Sequence, residues 1–377
     1  MHFRSSLLCA IGLACLLPAA AQDGTQTRPE GGLRWQLEKG SRTPYTFTWL
    51  LEESLDFKGT GMPPQQSTME VAYAMTQEVK AVDAGVATIE ATIDSIRIRV
   101  GLGMMGDMGF DSKNGDDPQN SLRSVRHAVG KRFSFKLAPT GKVSEVKGGD
   151  ELIKALADGI KTDQAAGGQG GGQGGGMGMM GMDPAAMAGM IAERLGDVVF
   201  SNEALASSLK LVNECLPEDP AAKAWTREVD MAVPQTGRMK FKADMSNAGE
   251  AEGNVRIGIK QQGEVELTRD SAADSSGDPM ADQVRRMMGD STVIRKEARG
   301  SASFSSAKGH LLDSEMVLEL ESEGDLPPFL KQMMQQQGGG ELPDELKLAR
   351  TTAFTLRYVQ EGTASAPAPE KGGTERF

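Results

Sequence analysis

The chain has 377 residues, with 41 lysines and arginines against 52 aspartates and glutamates and a formal net charge of −11. An acidic balance of that size keeps a protein soluble and excludes unaided binding to nucleic acid or to an anionic lipid surface. The length is enough for two ordinary domains or one large β-rich one, and three cysteines, Cys9, Cys15 and Cys215, are too few for a disulfide framework.

Residues 1–21 read as a secretory signal peptide. His2 and Arg4 open it, Leu7 to Leu17 form the apolar stretch, and Ala19-Ala20-Ala21 meets the small-residue rule for cleavage before Gln22. The stretch is shorter than the about 20 residues a spanning helix needs, and no transmembrane segment is expected further on. Cys15 follows Leu13-Ala14 as in lipid-anchored proteins, but Gly12 stands where that motif wants an aliphatic residue. The expectation is a periplasmic or secreted protein, soluble after cleavage near Ala21, in preference to one anchored at Cys15. Cleavage leaves Cys215 as the one cysteine, beside Leu211 and Leu216 at the end of a helical pattern, where a buried, inert thiol is expected.

The N-terminal half, residues 22–165, is dominated by period-two alternation. Tyr45, Phe47, Trp49, Leu51, Leu55 and Phe57 share one parity, and Met69, Val71, Tyr73, Met75 and Val79 share another, as in strands with one wet face. In 86–100 the apolar set Ile89, Ala91, Ile93 changes phase to Ile96, Ile98, Val100, which predicts a β-bulge near Asp94-Ser95. Phe133, Phe135 and Leu137 lead through Ala138-Pro139-Thr140-Gly141 into 142–148, a hairpin. Asp150 then reads as the N-cap of a helix carrying Leu152, Ile153, Leu156 and Ile160.

Residues 166–183 are a Gly/Met-rich linker, too poor in burial surface to order themselves. From 184 to 362 two helices precede a second β-rich half: Asp183-Pro184 caps one with Met187, Met190, Ile191 and Leu195, and the next carries Leu205, Leu209 and Val212. Strands are predicted at Val229 to Val233, Met239 to Met245, Val255 to Ile259, Val265 to Leu267, 292–305, Leu312 to Leu320 and Phe354 to Tyr358. Residues 363–377 read as a disordered tail. A faint internal repeat relates Phe110-Asp111-Ser112, Asp117-Pro118 and the strand at 131–137 to Arg269-Asp270-Ser271, Asp278-Pro279 and the strand from Thr292. The fold class is therefore α+β, mostly antiparallel β, with about a dozen strands in one or two curved sheets and three or four short helices.

Chemistry is harder to find. His127 and His310 belong to no metal or nucleophile motif, and Ser-x-x-Lys at Ser144, Ser207 and Ser305 lacks its companion elements. Asp107, Asp111, Asn114, Gly115, Asp116 and Asp117 offer oxygen ligands but not the spacing of a calcium loop; turn chemistry accounts for them. The carboxylates of 250–252 and 319–325 read as solvated surface. Methionines cluster at Met104, Met105 and Met108, at Met177, Met179, Met180 and Met182, at Met287-Met288 and at Met333-Met334. Thioethers are soft ligands for Cu(I) or Ag(I), but glycine between the sulfurs and the lack of nearby His or Cys favour gap-filling. No catalytic, cofactor-binding or metal-binding residue is assigned, and no cofactor is expected.

The run Val79 to Val100, with Phe110-Asp111-Ser112, Gly130-Lys131-Arg132-Phe133 and Gly141-Lys142-Val143-Ser144-Glu145-Val146-Lys147-Gly148, resembles a family of exported bacterial proteins known only as a domain of unknown function. The resemblance covers residues 33–160 clearly and 225–360 loosely; it implies a β-rich fold and carries over no catalytic residue. In architecture alone the pattern is similar to the periplasmic lipoprotein carriers, in which a curved antiparallel sheet closed by short helices holds an acyl chain. The expected function is non-enzymatic: an exported binding protein for a hydrophobic ligand such as a lipid, or for another cell-envelope component. A Met-rich Cu(I)- or Ag(I)-binding protein and a hydrolase with a site built from scattered acids are the alternatives.

Overall fold

The computed structural model describes residues 32–60, 62–101, 107–114, 122–167, 196–233, 237–268, 291–326 and 346–362. Twelve strands form one antiparallel sheet: β1 (Arg42–Lys58), β2 (Gln65–Asp83), β3 (Val86–Gly101), β4 (Asp107–Asp111), β5 (Arg132–Leu137), β6 (Val143–Lys147), β7 (Ala224–Val233), β8 (Gly237–Ala251), β9 (Asn254–Thr268), β10 (Ser291–Ser305), β11 (His310–Asp325) and β12 (Lys347–Gln360). Their order across the sheet is β6-β5-β3-β2-β1-β12-β11-β10-β9-β8-β7, with β4 alongside the far half of β3. Two α-helices, α1 (Gly149–Gly167) and α2 (Asn202–Asn213), and short helical turns at Ser112–Asn114, Arg123–Ala128 and Gly196–Phe200 complete the described elements. Of the one or two sheets expected, there is one.

Sequence neighbours pair as meanders, and the two halves meet where β1 lies on β12, in register from Tyr45 opposite Gln360 to Lys58 opposite Lys347. Aromatic rings hold that junction. Tyr45 stacks on Tyr358 with centroids 4.3 Å apart, Phe47 meets Tyr358 edge-on at 6.5 Å, and Trp49 meets Phe354 edge-on at 5.1 Å. Each such contact is worth about 0.5–1.5 kcal/mol beyond the area it buries. A one-residue slip would turn all of these rings to water.

The bulge falls at Asp94: Ala74 faces Ser95 and Met75 faces Ile93, so Asp94 is the extra residue, and its carboxylate accepts a hydrogen bond from Thr76 Oγ1 at 2.7 Å. Ile93 and Ile96 are both buried as a result. The β2–β3 and β8–β9 turns are two-residue loops, Ala84-Gly85 and Glu252-Gly253, with positive φ at both positions, the turn whose twist matches that of the strands it joins.

Three expectations need correction. Asp150 is not an N-cap; α1 starts one residue earlier, because Gly148, at φ +99°, already accepts from Leu152 N. Asn202 does the capping from the start of α2: Gly149 N donates to its Oδ1 at 2.9 Å, and its Nδ2 donates to Asp150. Leu312 does not lead the inward set of β11: Ser303 faces Asp313 and Phe304 faces Leu311, so Leu312 is the bulged residue and Leu311 is fully buried. The runs at 255–259 and 265–267 are one strand, β9, interrupted at Gly263 with φ +71°. The helix expected after Asp183-Pro184 and the second-copy loop at 269–290 lie outside the described residues.

One buried cluster takes side chains from every strand, from Tyr45 on β1 and Val143 on β6 to Met231 on β7, together with Leu152 and Leu156 of α1 and Leu205 and Leu209 of α2. α2 touches β6 and β7, the two ends of the strand order, as well as β11 and β12. Residues 33–37 form a strap that the sequence reading did not identify. Trp35 N donates to Pro139 O in the β5–β6 turn, Gln36 N donates to Gly309 O in the β10–β11 turn, and Leu33 and Trp35 are buried. A second, smaller cluster, Phe57, Leu326 and Leu346, lies at the opposite end of the strands, with Leu55 and Leu348 packed on it.

Candidate functional site

The face of the sheet that carries both clusters, the core face, has a break in its apolar lining. On β1 the series Tyr45 to Phe57 is interrupted by Glu53, which sits between Leu51 and Leu55 on the same parity; on β12 Arg350 sits between Leu348 and Thr352. The register places Glu53 opposite Thr352 and Leu55 opposite Arg350, so the two charges are diagonal neighbours, and Arg350 Nε pairs with Glu53 Oε1. Their side chains are only 15% and 18% exposed, against 51% for Lys58 at the end of the same strand. Ser322 on β11 lies opposite Arg350, and Lys296 on β10, which shares the parity of the buried Ala298 and Ala302, lies at the level of Thr352 and Glu53 with Leu320 between. Polar groups therefore separate the large cluster from the small one.

Next to this row the sheet forks. Backbone pairing between β9 and β10 runs from Asn254 and Ser305 to Lys260 and Arg299, and among the described residues goes no further, although β9 continues along β8 and β10 along β11. Two side chains bridge the gap: Ala298 N donates to Gln261 Oε1 at 2.9 Å, and Lys296 Nζ donates to Val265 O at 2.9 Å. Backbone groups beyond the fork depend on such substitutes or on water.

Near the strap the core face is closed, with Tyr45, Phe47 and Tyr358 at most 2% exposed. At the end of the strands where the fork lies, its apolar residues Leu55, Val293 and Leu348 are only half-buried. The outer face is a ladder of cross-strand ion pairs. Arg299 meets Glu319 at 2.6 Å, Arg295 meets Glu321 at 3.3 Å, and Glu323 lies between Lys58 at 2.8 Å and Lys347 at 2.9 Å. Hydrogen bonds from Lys58 and then Lys347 hold the Glu323 carboxyl down at about 2. Of the carboxylates of 319–325, Glu319, Glu321 and Glu323 are thus paired surface groups.

A separate cleft of about 360 Å³ lies between the C-terminal end of α2 and β7, lined by Glu214, Pro217, Glu218, Asp219, Trp225 and Arg227 among others. Its principal groups serve the fold: Glu214 Oε1 accepts from Val143 N at 3.0 Å, and Arg227 Nη2 donates to Leu216 O at 2.6 Å.

The residues singled out from the sequence lie on separate elements. Cys215 is fully buried, and burial pushes its thiol up to about 12, so it stays protonated and unreactive. His127 packs against α1 at Gly159, where a Cβ would come within 2.4 Å of its ring. His310 is half-buried, and burial pulls its pKa down. Asp111 Oδ1 accepts from Lys113 N at 2.9 Å, as turn chemistry requires. Among the described residues no three His, Cys, Asp or Glu side chains converge on a point that could hold a metal ion. Met108 packs on the core from β4; Met104, Met105 and the other methionine clusters, like Gly115, Asp116 and Asp117, lie outside the described residues. The sequence reading missed Glu53, Lys296 and Arg350, whose signal was a charge standing on an otherwise apolar parity.

No helix among the described residues is long and apolar enough to cross a membrane. No curated protein matches the chain. Two solved structures match at low similarity. One, titled for lipid–protein interactions in lipovitellin, matches at 9% identity and a TM-score of 0.36 over 89% of this chain and 26% of that one. The other, OccK2 (OpdF) of Pseudomonas aeruginosa in complex with glucuronate, matches at 7% identity and a TM-score of 0.16 over 77% of this chain and 52% of that one. The chain thus spans about a quarter of the first and about half of the second. The model of a family of unknown function (DUF6263) matches residues 84–171, which run from the β2–β3 turn past the end of α1.

Proposed function

We propose that this chain is an exported, non-enzymatic binding protein that holds an apolar ligand on the core face of a rolled sheet. The observation that carries the reading is the gradient along that face, from closed at the strap to half-buried at Leu55, Leu348 and Val293 at the end of the strands where the fork lies. Apolar side chains left partly wet on the inward face of a sheet are the lining a hydrophobic ligand requires.

Rolling is supported by α2. Twelve residues of helix span about 18 Å. The eleven strands of the order, laid flat at their usual spacing, would hold β6 and β7 about 48 Å apart. Touching both ends with one such helix calls for a sheet wrapped around it. The outer ladder of ion pairs suits a surface in water, and export follows from the signal sequence, with Gln22 as the expected first residue of the mature protein.

The reading is tested with the mature chain and a neutral apolar fluorophore, N-phenyl-1-naphthylamine. Saturable binding near one probe per protein, weakened by Leu348→Asp in a variant that keeps its β-sheet circular dichroism, is the expected result. Fluorescence that never saturates, or that ignores Leu348→Asp, would refute it.

A further inference from the structure

Beyond Lys260 and Arg299 the fork presents two facing strand edges in the middle of a sheet. The bonds that Ala298 N and Val265 O make into the gap fix its pleat. Backbone groups turn the same way on every second residue, so Ala298 and Lys296 on β10 and Val265 and Leu267 on β9 turn theirs toward the fork. The gap takes a lysine side chain and a 2.9 Å hydrogen bond, for which the about 4.8 Å between paired strands leaves no room. In it the side chain of Gln261 stands as a single peptide group would. Its Oε1 accepts from Ala298 N on β10 at 2.9 Å, and its Nε2 donates to Gly263 O on β9 at 2.7 Å. Gln261 thus does for one step of the ladder what an inserted strand does at every step, and facing edges of this kind are what an extended chain pairs with.

The side chains flanking the fork set the sequence of its occupant. On the core face stand the buried Val265 and Ala298 and the half-buried Val293 and Leu267. Ile294, the bulged residue of β10, is 62% exposed, the most of any large apolar side chain among the described residues. On the outer face Arg295 is already held by Glu297 at 2.6 Å and Glu321 at 3.3 Å. Glu264 and Glu266 of β9 are exposed and make no ion pair among the described residues, and Lys240, opposite Glu266, turns to Asp230 at 3.7 Å. An occupant with apolar residues inward and lysine or arginine outward suits both faces, with the period of two that a strand imposes.

We propose that the fork is a strand-addition site: an extended segment of another polypeptide, alternating apolar and basic residues, pairs between β9 and β10 and displaces the Gln261 amide. Because β9 and β10 are antiparallel, the guest runs parallel to one and antiparallel to the other. The exchange strands no charge. The Gln261 amide is neutral, and the Lys296 ammonium keeps an acceptor, because the carbonyls of the guest, like Val265 O, carry two lone pairs. The site is independent of the apolar-ligand reading above.

The test uses the mature chain and a fluorescein-labelled octapeptide of alternating valine and lysine with blocked ends. Fluorescence anisotropy is expected to show saturable binding, about tenfold tighter than for the peptide of alternating valine and glutamate. The valine and lysine peptide N-methylated at its valines keeps every charge and loses the donors of one edge, so its binding falls by about tenfold or more. Gln261→Ala tightens the parent peptide by removing the resident amide, and bound peptide slows amide hydrogen exchange at Lys296 and Val265 in wild type. Undiminished binding of the N-methylated peptide would mean attraction to the acidic surface alone and overturn the site. No binding, or exchange slowed only on other strands, would overturn it too. The peptide comparisons need no variant, so they decide the matter even if Gln261→Ala fails to fold.

Discussion

Trp35 is where the strap is most open to attack by substitution. It is 6% exposed and meets Phe304 edge-on with ring centroids 5.9 Å apart, while its backbone N–H ties the strap to Pro139. Trp35→Ala withdraws about 150–200 Å² of apolar contact, which at about 25 cal/mol per Å² is about 4–5 kcal/mol, an upper bound because the unfolded chain already buries part of it. One term works the other way. The indole Nε1 is buried with no hydrogen-bond partner, and leaving such a donor dry costs about 1–3 kcal/mol that the alanine variant recovers. The expected loss is about 3 kcal/mol for Trp35→Ala. Trp35→Phe keeps most of the ring and removes the unsatisfied N–H, so it should fall within about 1 kcal/mol of wild type. Urea unfolding followed by circular dichroism reads both, as shifts of the midpoint at unchanged slope. If Trp35→Phe costs as much as Trp35→Ala, the indole N–H has a partner that matters and the reasoning fails; if Trp35→Ala costs under about 1 kcal/mol, the strap does not contribute to stability as inferred.

Gly85 turns β2 into β3 at φ +83° with only Pro139 Cγ, at 3.5 Å, near its missing Cβ. Gly85→Ala should therefore lower stability by about 1–2 kcal/mol through backbone strain alone, measurable as a drop in melting temperature. Cys215 should resist a thiol reagent at pH 8 in the native protein and react at once in urea; fast native labelling would contradict its burial. Glu323, held at about 2 when folded against an ordinary 4.5, favours the folded state in full above pH 4.5 and loses that contribution as pH falls through its folded value. In Lys58→Met/Lys347→Met its NMR titration midpoint should return toward 4.5, and a midpoint that stays near 2 would mean that the two lysines are not its cause. Deleting Asp94, the extra residue, should close the bulge into plain alternation with Ile93 and Ile96 both still inward, so soluble protein with wild-type unfolding cooperativity is expected; loss of cooperative unfolding would show that the bulge itself is required.

Much of the fold was legible because alternation is local. Each strand declares its inward parity within a few residues, so the faces of β1, β2 and β12 and the bulge at Asp94 could be read from the order of apolar side chains alone. Helix α1 was placed correctly, but its cap was misassigned because the capping group, Asn202, arrives from fifty-two residues beyond Asp150. Leu312 was misread because two leucines in succession leave the parity open, and only the partner strand shows which of them is the bulged residue. The strap carried a signal of its own, the alternation of Leu33, Trp35 and Leu37, but nothing local says what a short isolated strand will bridge.

The polar row marks the division most clearly. By itself the sequence determined that Glu53, Lys296 and Arg350 stand on apolar parities, since side-chain direction in a strand follows from counting in twos. It could not bring them into one row, because the pairing of β1 with β12 joins residues from opposite ends of the chain and its register is decided by long-range packing of rings such as Tyr45 on Tyr358. The tertiary structure also decided that β9 and β10 part company beyond Lys260: Gly263, at φ +71°, marks a break in β9 just past the fork, but nothing local says which neighbour is lost there. Direction is a property of one strand; adjacency and its absence belong to the sheet.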